Sequence, residues 1–444
     1  MKVLRDKETD LSQALRELSR KLGAGAGMVS KASQEKTVAV FGAPLTPIEV
    51  VRKILSDVRA RGDEAVLEYI RKLDGATLTK DLLRVSPGAI QDAWDTTPES
   101  LRGSLQRAKE NIERFQSHIK APVPSMRRNA EGGFVGVAQR PLRRVGLYVP
   151  AGLASTLLMT AIPAKVAGVE EIAVATPCNA EGRVSPEVLA AAHVAGITEV
   201  YRVGGATAIA ALAYGTQSIP RVDKIAGPGN TFVTLAKKEV YGEVGLDMLA
   251  GPSEVLIIAD AKADPALIAA DLLSQAEHNP AAAVLLTPDE KIAKRTLDEL
   301  EAQLPKLSRS QAARDGLERY GLLGVTRDLE QAVELANQFA PEHLELAVQK
   351  PDDLLAKVRS AGAVFMGQWT PEPVGDYLAG PSHVLPTGGT ARFFCGLSVN
   401  DFLRTMSVIH YDRSALKQAA PDVDALARAE GLDAHARSAT IRFE

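Results

Sequence analysis

Cysteine is almost missing from this chain. Cys178 and Cys395 are the only two among 444 residues, too few for a disulfide framework and in keeping with a reducing compartment. Long apolar runs are missing too: no window approaches ~18 uninterrupted apolar residues, which excludes a membrane-spanning helix. The start, "MKVLRDKETDLSQALREL", has no apolar core of a secretory signal, so the expected setting is cytoplasmic. There is no basic excess, since the formal net charge is -3, and hence no electrostatic footprint for nucleic acid. Neither the GxGxxG dinucleotide fingerprint nor the HExxH zinc signature occurs, and no internal repeat has a fixed period. With 45% hydrophobic residues, the composition is that of an enzyme of two or three domains with a large core, acting on a small molecule.

The first ~120 residues read as helical from their 3.6-residue apolar periodicity. "LTPIEVVRKILSDVRARGDEAVLEYIRKLDG" and "TPESLRGSLQRAKENIERFQSHI" both carry such stripes, each with a threonine near its start. From residue 144 the pattern changes. "RRVGLYVP", "EEIAVATP", "TEVYRVGG", "VDKIAGPGN" and "SEVLIIAD" are short β-branched runs followed by turn residues and then helical segments. The rhythm resumes with "AAVLLT", "YGLLGVT", "LELAV" and "AGAVFMG". Strands alternating with helices predict right-handed crossovers and mainly parallel sheets in two α/β units. Ligands in such sheets sit at the carboxyl ends of strands, where "YVPAG", "VGGATAIAALAYG", "AGPGN" and "AGPSE" supply glycine-rich turns. The C-terminal helix "DVDALARAEGLDAHARSA" is broken by Gly431, and a tail of this kind suits packing on a partner chain.

The helix before "SQAEHNP" has Asp264 as cap, Pro265 in its first turn, Leu267, Ile268, Leu272, Leu273 and Ala276 as apolar stripe, and Asn279-Pro280 as stop. Asp271, Gln275 and His278 fall at i, i+4 and i+7 and share one polar face. A histidine in a last turn also complements the helix dipole, so this face alone does not separate a ligand set from a solvated edge. In "APEHLEL", Glu342 and His343 stand together before a strand. Adjacent acid and imidazole groups serve proton shuttling near neutral pH, or else simply mark a helix stop. "PEPVGDYLAGPSHVLPTGG" holds Asp376 and His383, and "EGLDAHARS" holds Glu430, Asp433 and His435. Two histidines, a carboxylate and one more donor would suit a divalent ion of zinc type. Cys178, after a strand end, offers the rival of a thiolate nucleophile, against an inert packed thiol. His118 and His193 lie within helices and read as structural.

Taken in order, "RRVGLYVPAG", "AIPAKVAGV", "VGGATAIAALAYGT", "VDKIAGPGN", "DMLAGPSEVLIIAD", "DLLSQAEH", "LANQFAPEHLEL", "VGDYLAGPSHVLPTGGTARF" and "EGLDAHARSATIRF" closely resemble the histidinol dehydrogenase family over nearly the whole chain. The resemblance implies oxidation of L-histidinol through L-histidinal to L-histidine, the last two steps of histidine biosynthesis, with two NAD reduced and one zinc per site. It implies two Rossmann-like parallel-sheet domains of aldehyde-dehydrogenase type, a helical N-terminal region and a C-terminal tail exchanged in a homodimer. In this chain that corresponds to an extension at 1–45, a discontinuous domain at 46–147 and 254–390, a second domain at 148–253, and a tail at 391–444.

Residue by residue, Gln275, His278, Asp376 and His435 match the zinc ligands, with His435 reaching over from the neighbouring subunit. Glu342 and His343 match the acid/base pair. Ser253, His383 and Glu430 match positions that contact substrate, as do His343 and the four ligands. Tyr148, Thr207 and Asn230 match NAD-contacting positions. Two departures fall on the cofactor side: Thr207 stands where the family usually has glutamine, and the loop after "YVPAG" is short. A related zinc- and NAD-dependent enzyme for another small polar alcohol, such as a sulfonated propanediol, is the alternative reading.

Overall fold

The computed structural model describes residues 1–27, 31–123, 125–278 and 280–444; the helix stop expected at Asn279 lies outside them. The strands, in chain order, are β1 (Lys2–Arg5), β2 (Arg127–Arg128), β3 (Phe134–Pro141), β4 (Arg144–Tyr148), β5 (Glu171–Thr176), β6 (Val200–Arg202) and β7 (Lys224–Ala226). They continue with β8 (Gly245–Leu246), β9 (Ser253–Ala259), β10 (Ala281–Thr287), β11 (Gly321–Val325), β12 (His343–Ala347), β13 (Ala363–Met366) and β14 (Leu403–His410). Two sheets are wholly parallel, with orders β6-β5-β4-β7-β8 and β1-β11-β10-β9-β12-β13. The predicted strands and the predicted parallel pairing are therefore found. In the five-stranded sheet the chain starts in the middle at β4, runs to one edge and returns to the other side, and β9 to β13 repeat this about β9 with β1 added at the edge beside β11, which leaves a crevice beside β4 in one and β9 in the other. Helices cover both faces, so the central strands are buried throughout and read as continuous apolar runs.

The grouping of segments differs from the sequence expectation. The resemblance groups residues 46–147 with 254–390, but Val51, Ile54, Val66, Tyr69 and Ile112 share one core with Val145, Val174 and Ile225 of the five-stranded sheet. The first residues, expected as an extension, instead complete the other sheet: β1 pairs with β11, and Leu11, Leu15, Leu18 and Leu22 cover one face beside Leu256 and Leu344. Periodicity shows that a helix has an apolar face, not which sheet the face covers. The third sheet is an antiparallel ribbon of order β14-β3-β2, so part of the tail pairs within its own chain. Gly431, at φ 73, ends the helix Arg413–Ala429 region and turns the chain into Asp433–Thr440, as its position suggested. His193 stacks on Trp94 at 4.9 Å, a structural role. Among the described residues no helix is long and apolar enough to cross a membrane.

The loop after β7 is fixed by an ion pair buried to a few per cent exposure, Lys237 with Asp247. Lys237 Nζ donates to the Gly227 carbonyl at 3.0 Å, and the Gly227 amide donates to Asp247 Oδ2 at 2.8 Å. Both peptide groups of that turn are thus held by charged partners. Gly227 has φ +119, and a Cβ there would run into the Tyr148 carbonyl. Removing one partner strands the other charge in a space closed to water. Lys237→Met is expected to cost about 3 kcal/mol of unfolding free energy in urea, more than the double replacement Lys237→Met with Asp247→Leu; equal losses would show that the pair does not hold the turn.

Candidate active site

The helix Pro265–Ala276 forms as its sequence dictates, with Asp264 accepting from the Ala266 amide at 2.9 Å and Pro265 in the first turn. It follows β9 and runs back along the sheet, so its carboxyl end arrives where the strands begin. Gln275 is 1% exposed and its Oε1 has no partner. His278 is exposed just beyond the helix, close enough for its charge to depress the basicity of His343.

Glu342 and His343 enter at the start of β12 from Ala340, the one non-glycine residue with positive φ (54°) among those described. That left-handed step after the helix Leu329–Phe339 redirects the chain into the sheet. His343 pairs in register with Val255 of β9 and Ala363 of β13. Its Nδ1 lies 3.2 Å from the Glu254 carbonyl, to which it donates. The lone pair of the neutral ring is therefore on Nε2, which is buried and unpartnered. Nε2 faces Glu372 at 3.8 Å and Asp376 at 3.9 Å. These three side chains bring ligand-type atoms within 4.8 Å of one another.

Glu342 accepts from the Glu254 amide at 3.1 Å and is bonded by the Ser253 hydroxyl. Behind His343, Glu345 accepts from the Glu372 amide at 3.2 Å and shares a hydrogen bond with Asp271. Ser274 reaches Glu372 at 3.3 Å. His383 donates from Nδ1 to the Asp376 carbonyl at 2.9 Å, and its Nε2 accepts from Thr156 at 3.0 Å. Thr156 belongs to the helix after β4, so His383 ties the two parallel sheets together at the cleft.

Burial governs the titration of this cluster. It raises Glu342 and Glu345 well above the usual carboxylate range, and raises Asp376 to about 8 with help from Glu372 and Asp271 to about 6. It lowers His343 against the pull of Glu372, and takes His383 down to about 4. His343 is thus a neutral base at physiological pH. Cys178 is buried and its thiol is pushed up, again by burial, so it is a poor thiolate.

The expected strand-end location needs correction for half the site. Ser253, Glu342 and His343 lie at the amino ends of β9 and β12, not at carboxyl ends. Tyr148, Thr207 and Asn230 do follow carboxyl ends of the other sheet, and all three line one cavity of about 370 Å³. The structure brings Ser253, Gln275, His278, Glu342, His343, Asp376 and His383 to the cleft. Glu430 and His435 are exposed on the terminal helical pair, and among the described residues neither side chain bonds to the cluster. Sequence reasoning missed Glu372 and Glu345. The signals were present: Glu372 is four residues before Asp376 on one helix, and Glu345 is two after His343 on one strand.

The histidinol dehydrogenase family model matches residues 46–443. A histidinol dehydrogenase of Rhodopirellula baltica is 48% identical over 98% of this chain and 95% of its own length. One from Heliobacterium mobile is 50% identical over 89% and 93%. The crystal structure of the enzyme from Elizabethkingia anophelis superposes with a TM-score of 0.89 at 35% identity, covering 100% of this chain and 98% of that one. Sequence and architecture agree along almost the entire polypeptide, and the chain belongs to the histidinol dehydrogenase family, whose members are NAD-dependent oxidoreductases.

Proposed function

We propose that the cleft at the starts of β9 and β12 is where L-histidinol is oxidised through L-histidinal to L-histidine, with His343 and Glu342 carrying the protons and NAD entering from the cavity beside Tyr148. The observation that carries this reading is the buried, unpartnered Nε2 of His343 facing two carboxyl groups at 3.8 and 3.9 Å. A base with no partner in a closed polar cleft is arranged for a ligand.

The donor set also suits a divalent ion. Gln275 Oε1 is an orphaned buried oxygen, and carboxyl groups crowded away from water favour an added positive charge. Gln275, His278 and Asp376 would hold zinc from one chain and His435 from a second copy, an arrangement that makes the active enzyme a homodimer with exchanged tails. Bound zinc supplies a fixed charge that orients the imidazole and amino group of the substrate. Ser253, His383 and Glu430 complete the substrate contacts, Glu430 again from the second copy.

His343 accepts the alcohol proton at Nε2 as hydride leaves carbon for NAD. Its Nδ1 bond to the Glu254 carbonyl fixes the tautomer that makes this possible. For the second oxidation, Glu342 takes a proton from water as the oxygen adds to the aldehyde. Burial makes its carboxylate, once ionised, a stronger base than a solvated one. His343 returns its first proton to the carbonyl oxygen as the hydrate forms and then takes the hydrate's proton as the second hydride departs for a second NAD. Cys178 has no part in this route. The two free cysteines, one buried and one exposed, suit a cytoplasmic setting.

The purified protein with L-histidinol and NAD should form two NADH per substrate consumed, and a chelator should abolish both. Activity confined to another alcohol would overturn the assignment. Glu342→Gln should still give the first NADH but slow the second by about 10²-fold, releasing L-histidinal, whereas His343→Asn should lose about 10³-fold overall. Cys178→Ala should keep most turnover; a dead cysteine variant would instead favour a covalent thiohemiacetal route. Ending the chain before Glu430 should remove stoichiometric zinc in metal analysis, and one retained zinc per chain would refute the exchange.

A further inference from the structure

Of the polar face Asp271, Gln275 and His278, the proposed chemistry leaves Asp271 unassigned. It stands one turn before Gln275 on the helix Pro265–Ala276 and shares a hydrogen bond with Glu345. Glu345 lies on β12 two residues after His343, so both point to one side of the sheet. In register it sits between Ile257 of β9 and Phe365 of β13. Ile257, Ile268 and Leu272 build an apolar core on this side, while Leu344 and Leu346 belong to the core on the other. An apolar side chain would fill such a place without any penalty of desolvation. An acid there, 5% exposed, answers a need other than packing.

The carboxyl group of Glu345 joins three elements. It accepts from the Glu372 amide at 3.2 Å, at the start of the helix Glu372–Tyr377, whose cap residue Pro371 gives no side-chain hydrogen bond. It bonds Asp271 of the helix Pro265–Ala276. It also stands on the strand that begins with His343. Asp376 follows Glu372 by one turn, as Gln275 follows Asp271. The elements bearing Asp376, Gln275 and His343 thus meet at one side chain. Ser274 adds a tie to Glu372 at 3.3 Å, and His383 one to the Asp376 carbonyl at 2.9 Å, but of these bonds only that of Glu345 fastens the short helix to β12. A Cβ on Gly375 would come within 2.7 Å of the Phe365 ring, so the helix lies directly against β13. Contact of this kind fixes its distance from the sheet and leaves its rotation to hydrogen bonds. The space beside Asp271 and Glu345 is about 10 Å³, too small for bulk water to replace either carboxyl group.

We propose that Glu345, paired with Asp271, is a positioning residue of the metal site: the pair sets the helix that carries Gln275 against the helix that carries Asp376 at a separation one divalent ion spans. This inference rests on the reading of Gln275, His278 and Asp376 as ligands, and the two fail in different ways. Zinc affinity of the full-length protein, measured by competition with a chromogenic chelator, tells them apart. Asp376→Ala should bind zinc at least about 100-fold more weakly than the wild type, and an unchanged affinity would defeat the ligand reading together with this inference.

With that loss established, Asp271→Leu combined with Glu345→Met should weaken zinc binding by about 10- to 100-fold, while the metal-free protein unfolds in urea at no lower concentration than the wild type, since apolar side chains replace a buried polar pair. Glu345→Gln, which accepts from the same amide and donates to Asp271, should stay within about threefold of the wild-type affinity. A double variant that holds zinc as tightly as the wild type overturns the assignment and leaves the ligands standing. So does one whose zinc affinity and urea midpoint fall together, because stability alone would then account for both. Glu345→Gln as weak as the double variant would overturn it too, the hydrogen bonds having been kept.

Discussion

Carboxyl groups and an imidazole packed away from water cannot all keep the charges they carry in solution. Glu342, His343, Glu345 and Glu372 are each 6% exposed or less, and the cost of desolvating so many like charges exceeds what their hydrogen bonds to one another return. Burial lowers the basicity of His343 and raises that of Glu342 and Glu345. That same shift is what proton transfer demands: an imidazole with a free lone pair, beside a carboxyl group whose ionised form is strongly basic. Function and electrostatic frustration here have one cause, the exclusion of water. A cation entering the cluster would relieve the crowding, which is why the proposed zinc is an electrostatic complement as well as a template.

Two sheets of similar winding are used in opposite ways. The five-stranded sheet offers its carboxyl ends, where glycine-rich turns and helix starts make a phosphate-sized concavity. The six-stranded sheet offers its amino ends, where helices such as Pro265–Ala276 finish. Helix starts favour the anionic dinucleotide of the proposed function, whereas helix ends disfavour added anions and favour a cation entering the acidic cluster. His383, bonded to the Asp376 carbonyl and to Thr156, bridges the two ends.

Much of this was legible in the sequence. The cap, first-turn proline and apolar stripe of Pro265–Ala276 are local features, and local features survive folding unless tertiary packing overrides them. Gln275 was conspicuous as a polar side chain next to an apolar stripe, and it is indeed almost wholly buried. Glu345 and Glu372 are hidden by their ordinariness: a glutamate at the third place of a strand or the first of a short helix looks solvated until another element covers it. Covering is non-local. The same limit explains why residues 46–147 pack with the five-stranded sheet and not, as expected, with 254–390, since an amphipathic stripe is indifferent to which apolar surface it meets. The carboxyl-end rule agrees with where the glycine-rich turns of the five-stranded sheet lie but not with His343, because a cleft made by two facing sheets draws on opposite ends of each.

The terminal segment shows what a single chain leaves undone. Ile409 and Leu426 are 70% and 67% exposed, and Leu432 and Ile441 are also open to solvent, on an arm whose ribbon strand is anchored to β3. Arg428 pairs with Asp424 and Asp433, bracing the bend at Gly431. The arm is therefore rigid in itself but uncovered, and apolar groups concentrated on a projecting element call for a covering surface. Under the proposed exchange that surface is a second copy, and Glu430 and His435 ride on the arm at the bend. Burying the apolar side chains would then supply the free energy that orders the polar ones, so that assembly of the dimer and completion of the metal site become a single equilibrium.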